Sequence, residues 1–297
     1  MAVSGFETLS AAYGAPRASA HRSDAVSPKT PRTRFVWRGS RVADITTQVA
    51  LVGGVTLLYE GLRAVTEGDF DSAERHAAKL WHAERWLHLP SEAGLQRPFL
   101  DHHGLVRFLN GYYANLHFAV TFLVFAWLLV RHRALYGRLR DVLLVTTVLG
   151  LVLETFYPLA PPRLNALCGC VDTAKTFGPS VYSPDPTSGV ANQLAAMPSL
   201  HVAWAVLVAV AFVMALRSRW RYLAVLYPAA TITVVLVTAN HYWLDGIVGC
   251  VLLLVAGAVT RPLANRRAIV LPGDAAKDAR GSTVERTAED GSKAVLA

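Results

Sequence analysis

The chain has 297 residues, 53% of them hydrophobic and only 17% charged, with a formal balance of +8 from 29 Lys+Arg against 21 Asp+Glu. A soluble chain usually carries about 25% charged residues, and the charges here are clustered between long runs almost free of them. That excludes a disordered chain, a disulfide-stapled secreted module and an ordinary cytosolic enzyme. Because the basic residues recur between apolar runs and not on one face or tail, no nucleic-acid partner is expected either.

Residues 1–40 are rich in Ala, Ser, Pro and Arg without apolar periodicity, and read as a disordered cytoplasmic tail. Residues 263–297 read the same way. No apolar leader core follows Met1, so no cleavage is expected. Residues 41–262 between the tails read as one all-α, polytopic membrane domain. A helix needs about 20 mostly apolar residues to cross the hydrocarbon. Six segments qualify: 43–62, 114–131, 141–158, 199–216, 221–239 and 243–260. The third is marginal because it carries Thr146, Thr147 and Glu154. The last two are close enough to make a tight helical hairpin.

Lys and Arg mark the cytoplasmic side of a membrane protein. They gather in the N-terminal tail (Arg17 to Arg41), between spans two and three (Arg131, Arg133, Arg138, Arg140), between four and five (Arg217, Arg219, Arg221) and after span six (Arg261, Arg266, Arg267). Six spans put all four groups on one side, with both termini cytoplasmic. The outer side of the cell membrane then receives 61–113, 159–198 and the turn near Asn240. Residues 73–88 of the first outer segment mix apolar and charged positions and include Trp81 and Trp86, which suits an interfacial helix. His76, His82 and His88 fall on different faces of that helix and read as solvated or interfacial, with no shared metal. Cys168 and Cys170 lie too close in sequence for an easy mutual bond, so free thiols or pairing elsewhere are expected. Cys250, in an apolar run, reads as a small buried residue. Gly178-Pro179 and Pro184-Asp185-Pro186 mark an irregular outer loop.

Three polar segments stand where a membrane helix would not spend them: Tyr157 to Leu164, Met197 to His201, and Asn240 to Gly246. The topology above brings all three to the outer face. His241 and Asp245, four residues apart, share a face of a helix. Asp245 can orient His241 and offer its Nε2 as a nucleophile, or the two can simply be a structural pair at a helix start. His201 stands in the first turn of the fourth span behind Pro198 and Ser199, where free N–H groups attract an anion. It can protonate an oxygen leaving phosphorus, or serve as an interfacial polar residue. Arg163 can fork two phosphate oxygens or anchor the interface. Nucleophile, orienting carboxylate, acid and anion clamp together make a phosphoryl-transfer site, with Ser199 beside the phosphate. No P-loop lysine and no carboxylate cluster for magnesium is present, so no metal and no cofactor is expected. Glu154 and His117, polar groups within spans, are candidates for substrate contact or for structural pairing, Glu154 with Arg163.

Pro198-Ser199-Leu200-His201 and His241-x-x-x-Asp245 resemble the second and third signatures of the type 2 phosphatidic acid phosphatase superfamily. Tyr157-Pro158-Leu159-Ala160-Pro161-Pro162-Arg163-Leu164 resembles the branch that includes inositol phosphorylceramide synthase. The resemblance covers roughly 45–262, including Asn110-x-x-Tyr113-x-x-x-His117. It implies a six-helix core in which His241 forms a phosphohistidine, Asp245 orients it and His201 protonates the leaving group. Two departures are visible. Val234 and Val235 stand where the family has Ser-Arg, and the usual Lys-x6-Arg-Pro signature is missing. Arg163 is then the main clamp, with Lys175, Arg97 or Arg107 as further cations. The expected function is a metal-independent lipid phosphatase or lipid phosphotransferase, with a lipid phosphate or phospholipid and the membrane as partners. A lipid transporter that kept the site without catalysis is the contrasting reading.

Overall fold

A computed structural model of the protein describes residues 70–179 and 193–269, with isolated helical positions at Gly54, Leu57 and Gly61, and side chains as far as Arg261. The expected N-terminal tail, residues 270–297 of the expected C-terminal tail and nearly all of the expected span 43–62 lie outside the described residues; residues 263–269, expected to be disordered, instead continue the last helix. Helix α1 (Phe70–Trp86) is followed by α2 (Glu92–Leu100), opened by Ser91, whose hydroxyl accepts from Gly94 N. Helix α3 (His103–Gly111) runs through a wide π-turn, Tyr112–Leu116, directly into α4 (His117–Arg131). Helix α5 (Arg133–Phe156) returns, and the chain then turns through Pro162–Leu164 and the short α6 (Thr173–Phe177). Helix α7 (Leu200–Ala215), a 3-10 stretch (Arg219–Val225) leading into α8 (Leu226–Val237), and α9 (Trp243–Ile269) complete the order. No strand forms among the described residues; a single parallel bridge joins Leu159 to Ala195.

Helix α7 is apolar around its whole circumference and occupies the centre. Its Leu207, Val208 and Ala211 pack with Val124, Phe125 and Leu128 of α4, Tyr136 and Leu139 of α5, and Leu253 of α9. Helices α4, α5 and α9 are apolar outside as well as inside. Phe122, Phe156 and Leu254 are 73%, 80% and 74% exposed, and α9 turns Ile247, Val251 and Leu254 outward in one stripe. Each such side chain left in water forgoes about 1.5–3 kcal/mol of burial, so this outer belt belongs in lipid.

Among the described residues three helical stretches are long and apolar enough to cross a membrane: His103–Arg131, Arg219–Val237 and Trp243–Arg261. The expectation of six spans is met only to that extent. Helix α7, at 16 residues, is a shorter apolar helix. Helix α5 has 24 residues, but Arg140 and Asp141 in its first half and Glu154 near its end break up its apolar run. The chain direction alternates, so the starts of α4, α7 and α9 and the ends of α5 and α8 share one end of the bundle. Arg131, Arg133, Arg217, Arg219 and Arg261 stand at the other ends of these helices.

Helix α1 forms where an interfacial helix is expected, yet much of it faces protein. Ala73 and Ala77, one turn apart, pack on Leu159, Ala160, Ala196, Met197 and Tyr242, while Trp86 stays 78% exposed. His76 is correspondingly not a solvated residue: its Nδ1 lies 2.8 Å from Pro158 O and its ring stacks on Tyr157 at 4.0 Å. Cys168 and Cys170 also depart from expectation, being joined in a disulfide. Gly169 between them has φ +66°, a left-handed turn that brings the two Cα atoms to 5.2 Å, within reach of such a bond. Cys250 is free and half-buried.

Candidate active site

The three polar segments meet at the end of the bundle opposite the arginines, and backbone hydrogen bonds lace them together. Leu159 N donates to Leu194 O at 2.8 Å and Ala196 N to Leu159 O at 3.2 Å. Arg163 N donates to Ala239 O at 3.0 Å, and Ser199 N to Asp245 O at 2.9 Å. Two amides tie the outer loop to the helices from the side. Gln96 bridges Val171 and Val237, and Asn110 bonds Thr173 and Gly178.

His241 precedes α9 and is not part of it, which corrects the picture of two residues on one helical face. Just beyond the end of α8, Ala239 stands at φ +53°, and the N–H groups of Asn240 and His241 both return to Val235 O. That tight turn presents His241 before the new helix starts at Trp243. The closest partner of His241 Nδ1 is Ala196 O, at 2.7 Å; Asp245 Oδ2 lies at 3.5 Å, outside good hydrogen-bonding range. A carbonyl can only accept, so Nδ1 carries the proton and Nε2 keeps its lone pair. His241 Nε2 is buried with no hydrogen-bond partner among the described residues. Asp245 instead reaches back to Tyr242 N at 2.8 Å, the return half of a capping box. Leu244 N, the next donor of that first turn, is taken by Glu84 Oε1 at 2.8 Å.

His201 lies in the first turn of α7, its ring 5.7 Å from that of His241 between centroids. Tyr113, on the π-turn, stacks on it at 4.3 Å, and Tyr113 O accepts from His201 Nε2 at 3.3 Å. His117 is fully buried 5.0 Å from the His201 ring, with Nδ1 2.9 Å from Tyr227 OH. Ser199 is the N-cap of α7: its hydroxyl accepts from Val202 N at 3.4 Å and keeps its own proton to donate. Gly249 allows this close approach of α7 and α9, since a Cβ there would stand 2.5 Å from Ser199 O.

Arg163 is held beside His241 by Asn240, whose Oδ1 accepts from Nε at 3.2 Å, and by an ion pair with Asp172 Oδ2 at 3.3 Å. The expected pairing with Glu154 does not form. Glu154 is half-buried near the end of α5 with no ion pair or hydrogen bond among the described residues. Lys175, Arg97 and Arg107 are all exposed. Sequence reasoning missed the Ala196 carbonyl, Glu84 and Asp172. Only Asp172 left a signal, as the sole acid between 159 and 179.

A family model described as the PAP2 superfamily matches residues 78–259. No curated protein and no solved structure matches the chain. The match spans more than half of the sequence and contains His117, Arg163, Ser199, His201, His241 and Asp245, and the chain belongs to the PAP2 superfamily. Members of that superfamily are generally phosphatases or phosphotransferases.

Proposed function

We propose that this PAP2 superfamily member is an integral membrane enzyme that transfers the phosphoryl group of a lipid phosphate through a phosphohistidine on His241. The observation that carries this reading is the pairing of a proton-bearing Nδ1, fixed on Ala196 O, with a buried and unpartnered Nε2. In the first step the bond from Nε2 to phosphorus forms as the bond from phosphorus to the lipid oxygen breaks. His201 gives that oxygen a proton; its Nε2 is engaged as a donor to Tyr113 O, so Nδ1 is the atom that exchanges the proton. The imidazolium formed at His241 is stabilised by the buried Asp245 carboxylate 3.5 Å away.

The phosphate oxygens would lie between Arg163 and the start of α7, where Ser199 can donate a hydrogen bond. His117 and Glu154 would meet the substrate or its acceptor. In the second step an acceptor O–H gives its proton to His201 as its oxygen takes the phosphoryl group from nitrogen. Water as acceptor makes a phosphatase. A polyol or lipid hydroxyl makes a phosphodiester, and the Tyr157-to-Leu164 segment, similar to that of inositol phosphorylceramide synthase, favours this outcome. We place the site at the outer face of a six-span bundle in the cell membrane, with both termini cytoplasmic, on the strength of the arginine clusters at the opposite helix ends.

The test is purified protein in detergent with EDTA, wild type beside His241→Ala, given a mixed phospholipid and polyol pool and followed by mass spectrometry. Phosphate or a new phosphodiester that depends on His241 is the expected result. Products indifferent to His241→Ala would sink the phosphohistidine mechanism, and ligand movement without products would favour a carrier.

A further inference from the structure

We propose that Glu84 is a positioning residue of this site: its carboxyl closes the first turn of α9 at Leu244 and, backed by Glu92, keeps His241 and Asp245 in line. The inference rests on the reading of His241 as the reacting group. Helix α1 otherwise has no part in that chemistry, and its charged sequence resembles a solvated face.

The geometry is specific. Glu84 and Glu92 are both fully buried, and Glu84 Oε1 accepts from Leu244 N, 160 residues away, at 2.8 Å. A second tie runs alongside, from the indole N–H of Trp243 to Pro90 O at 2.9 Å. The corner between α1 and α2 therefore holds the first two residues of α9 directly, and Asp245 holds Tyr242 from the inside. Four N-terminal N–H groups of a helix lack internal partners; here the donors of Tyr242 and Leu244, next to His241, are given carboxyl oxygens.

The charges explain why two buried acids are tolerated. Arg85, on the same helix, stands 3.7 Å from Glu84 Oε2 and 3.5 Å from Glu92 Oε2. The facing groups are the Asp245 carboxylate of α9 and, from the turn before it, the Tyr242 phenol and, beyond that, His241. Burial first, then the neighbouring Glu92 carboxyl and the negative charge of Asp245, push the Glu84 carboxyl up to about 9, while the Leu244 N–H pulls it down. At neutral pH it thus keeps its proton. The folded value lies above the unfolded one of 4.5, so this contribution to stability is complete below 4.5 and lost as pH climbs toward 9. Above that, an anionic Glu84 faces two other carboxylates, and the turn loosens.

The experiment uses the full-length protein in detergent as wild type, Glu84→Ala and Glu84→Gln. Hydrogen exchange is followed in the peptide covering 240–250, and His241-dependent turnover is followed from pH 6 to 10. Glutamine reproduces the uncharged acid and can still accept from Leu244 N. Glu84→Ala should lose protection in that peptide and drop kcat on the order of 10–100-fold with KM within about 3-fold, the scale of a slightly misplaced reacting group. Glu84→Gln should rescue both and remove the alkaline fall that wild type shows near the Glu84 titration. A Glu84→Ala protein with wild-type protection and kcat would overturn the proposal, as would a Glu84→Gln protein as impaired as the alanine variant. If Glu84→Ala does not fold, the persistence of the alkaline fall in Glu84→Gln overturns it and its loss supports it. Should wild type itself show no turnover that depends on His241, the phosphohistidine reading fails, while the exchange arm still decides whether Glu84 holds the turn.

Discussion

Two helices begin at the site, and they begin differently. Helix α7 is capped by one neutral hydroxyl, that of Ser199, and the N–H groups of Leu200 and His201 have no acceptor among the described residues. Helix α9 is closed by two carboxyls, Asp245 on Tyr242 and Glu84 on Leu244. A helix start attracts negative charge. At α9 that attraction is already answered from within the protein by carboxyls, whereas at α7 it is not. In the proposed function the two starts therefore have separate tasks: α9 fixes His241, and α7, with Arg163, receives the anion.

Substitutions at the two starts can break or sharpen that division. The largest effect is expected from Asp245→Asn, which keeps an acceptor for Tyr242 N but removes the charge beside His241. Turnover should fall on the order of 100-fold or more with little loss of thermal stability; wild-type turnover would reduce Asp245 to a cap. Gly249→Ala drives a methyl group against Ser199 O and pushes the two starts apart. About 1–3 kcal/mol of stability should be lost in a denaturant titration, with kcat falling in parallel. Ser199→Asp puts a carboxylate where α7 awaits an anion. It keeps the cap, so the melting temperature should hold while KM for the lipid phosphate rises about 10-fold or more. An unchanged KM would mean the phosphate lies elsewhere. Smallest of all, Ala239→Gly relieves the left-handed φ of +53° ahead of His241. Thermal unfolding should report a gain of up to about 1 kcal/mol.

Much of this arrangement is legible in the sequence, for physical reasons that differ from residue to residue. The all-helical class follows from long apolar runs, and the meeting of the three polar segments follows from prolines, histidines and charges at the ends of those runs. The motif combination around Pro198 to His201 and His241 to Asp245 is sufficient to suggest the superfamily. The span count is less accessible, because α5 carries Arg140 and Asp141 into a helix that also holds Glu154. The Ala196 carbonyl that fixes His241 is invisible in principle: every residue has such a group, and only tertiary folding across 45 residues selects one. Glu84 is hidden in a different way. In a helix reading Ala-Glu-Arg-Trp it has the pattern of a solvated face, and it is buried only because the start of another helix needs its oxygen.

The hydrogen bond from Ser199 N to Asp245 O has a kinetic consequence. It ties the N-cap of α7 to the first turn of α9 through backbone atoms alone, so the spacing of the two helix starts does not depend on any side-chain rotamer. Sliding one helix past the other would break that bond and crowd Ser199 against Gly249. In the mechanism proposed above, the two helix starts would therefore serve as a rigid frame through both half-reactions. The phosphorus atom would travel between lipid oxygen, nitrogen and acceptor, and any gating of entry and exit would fall to the loops and the lipid around that frame.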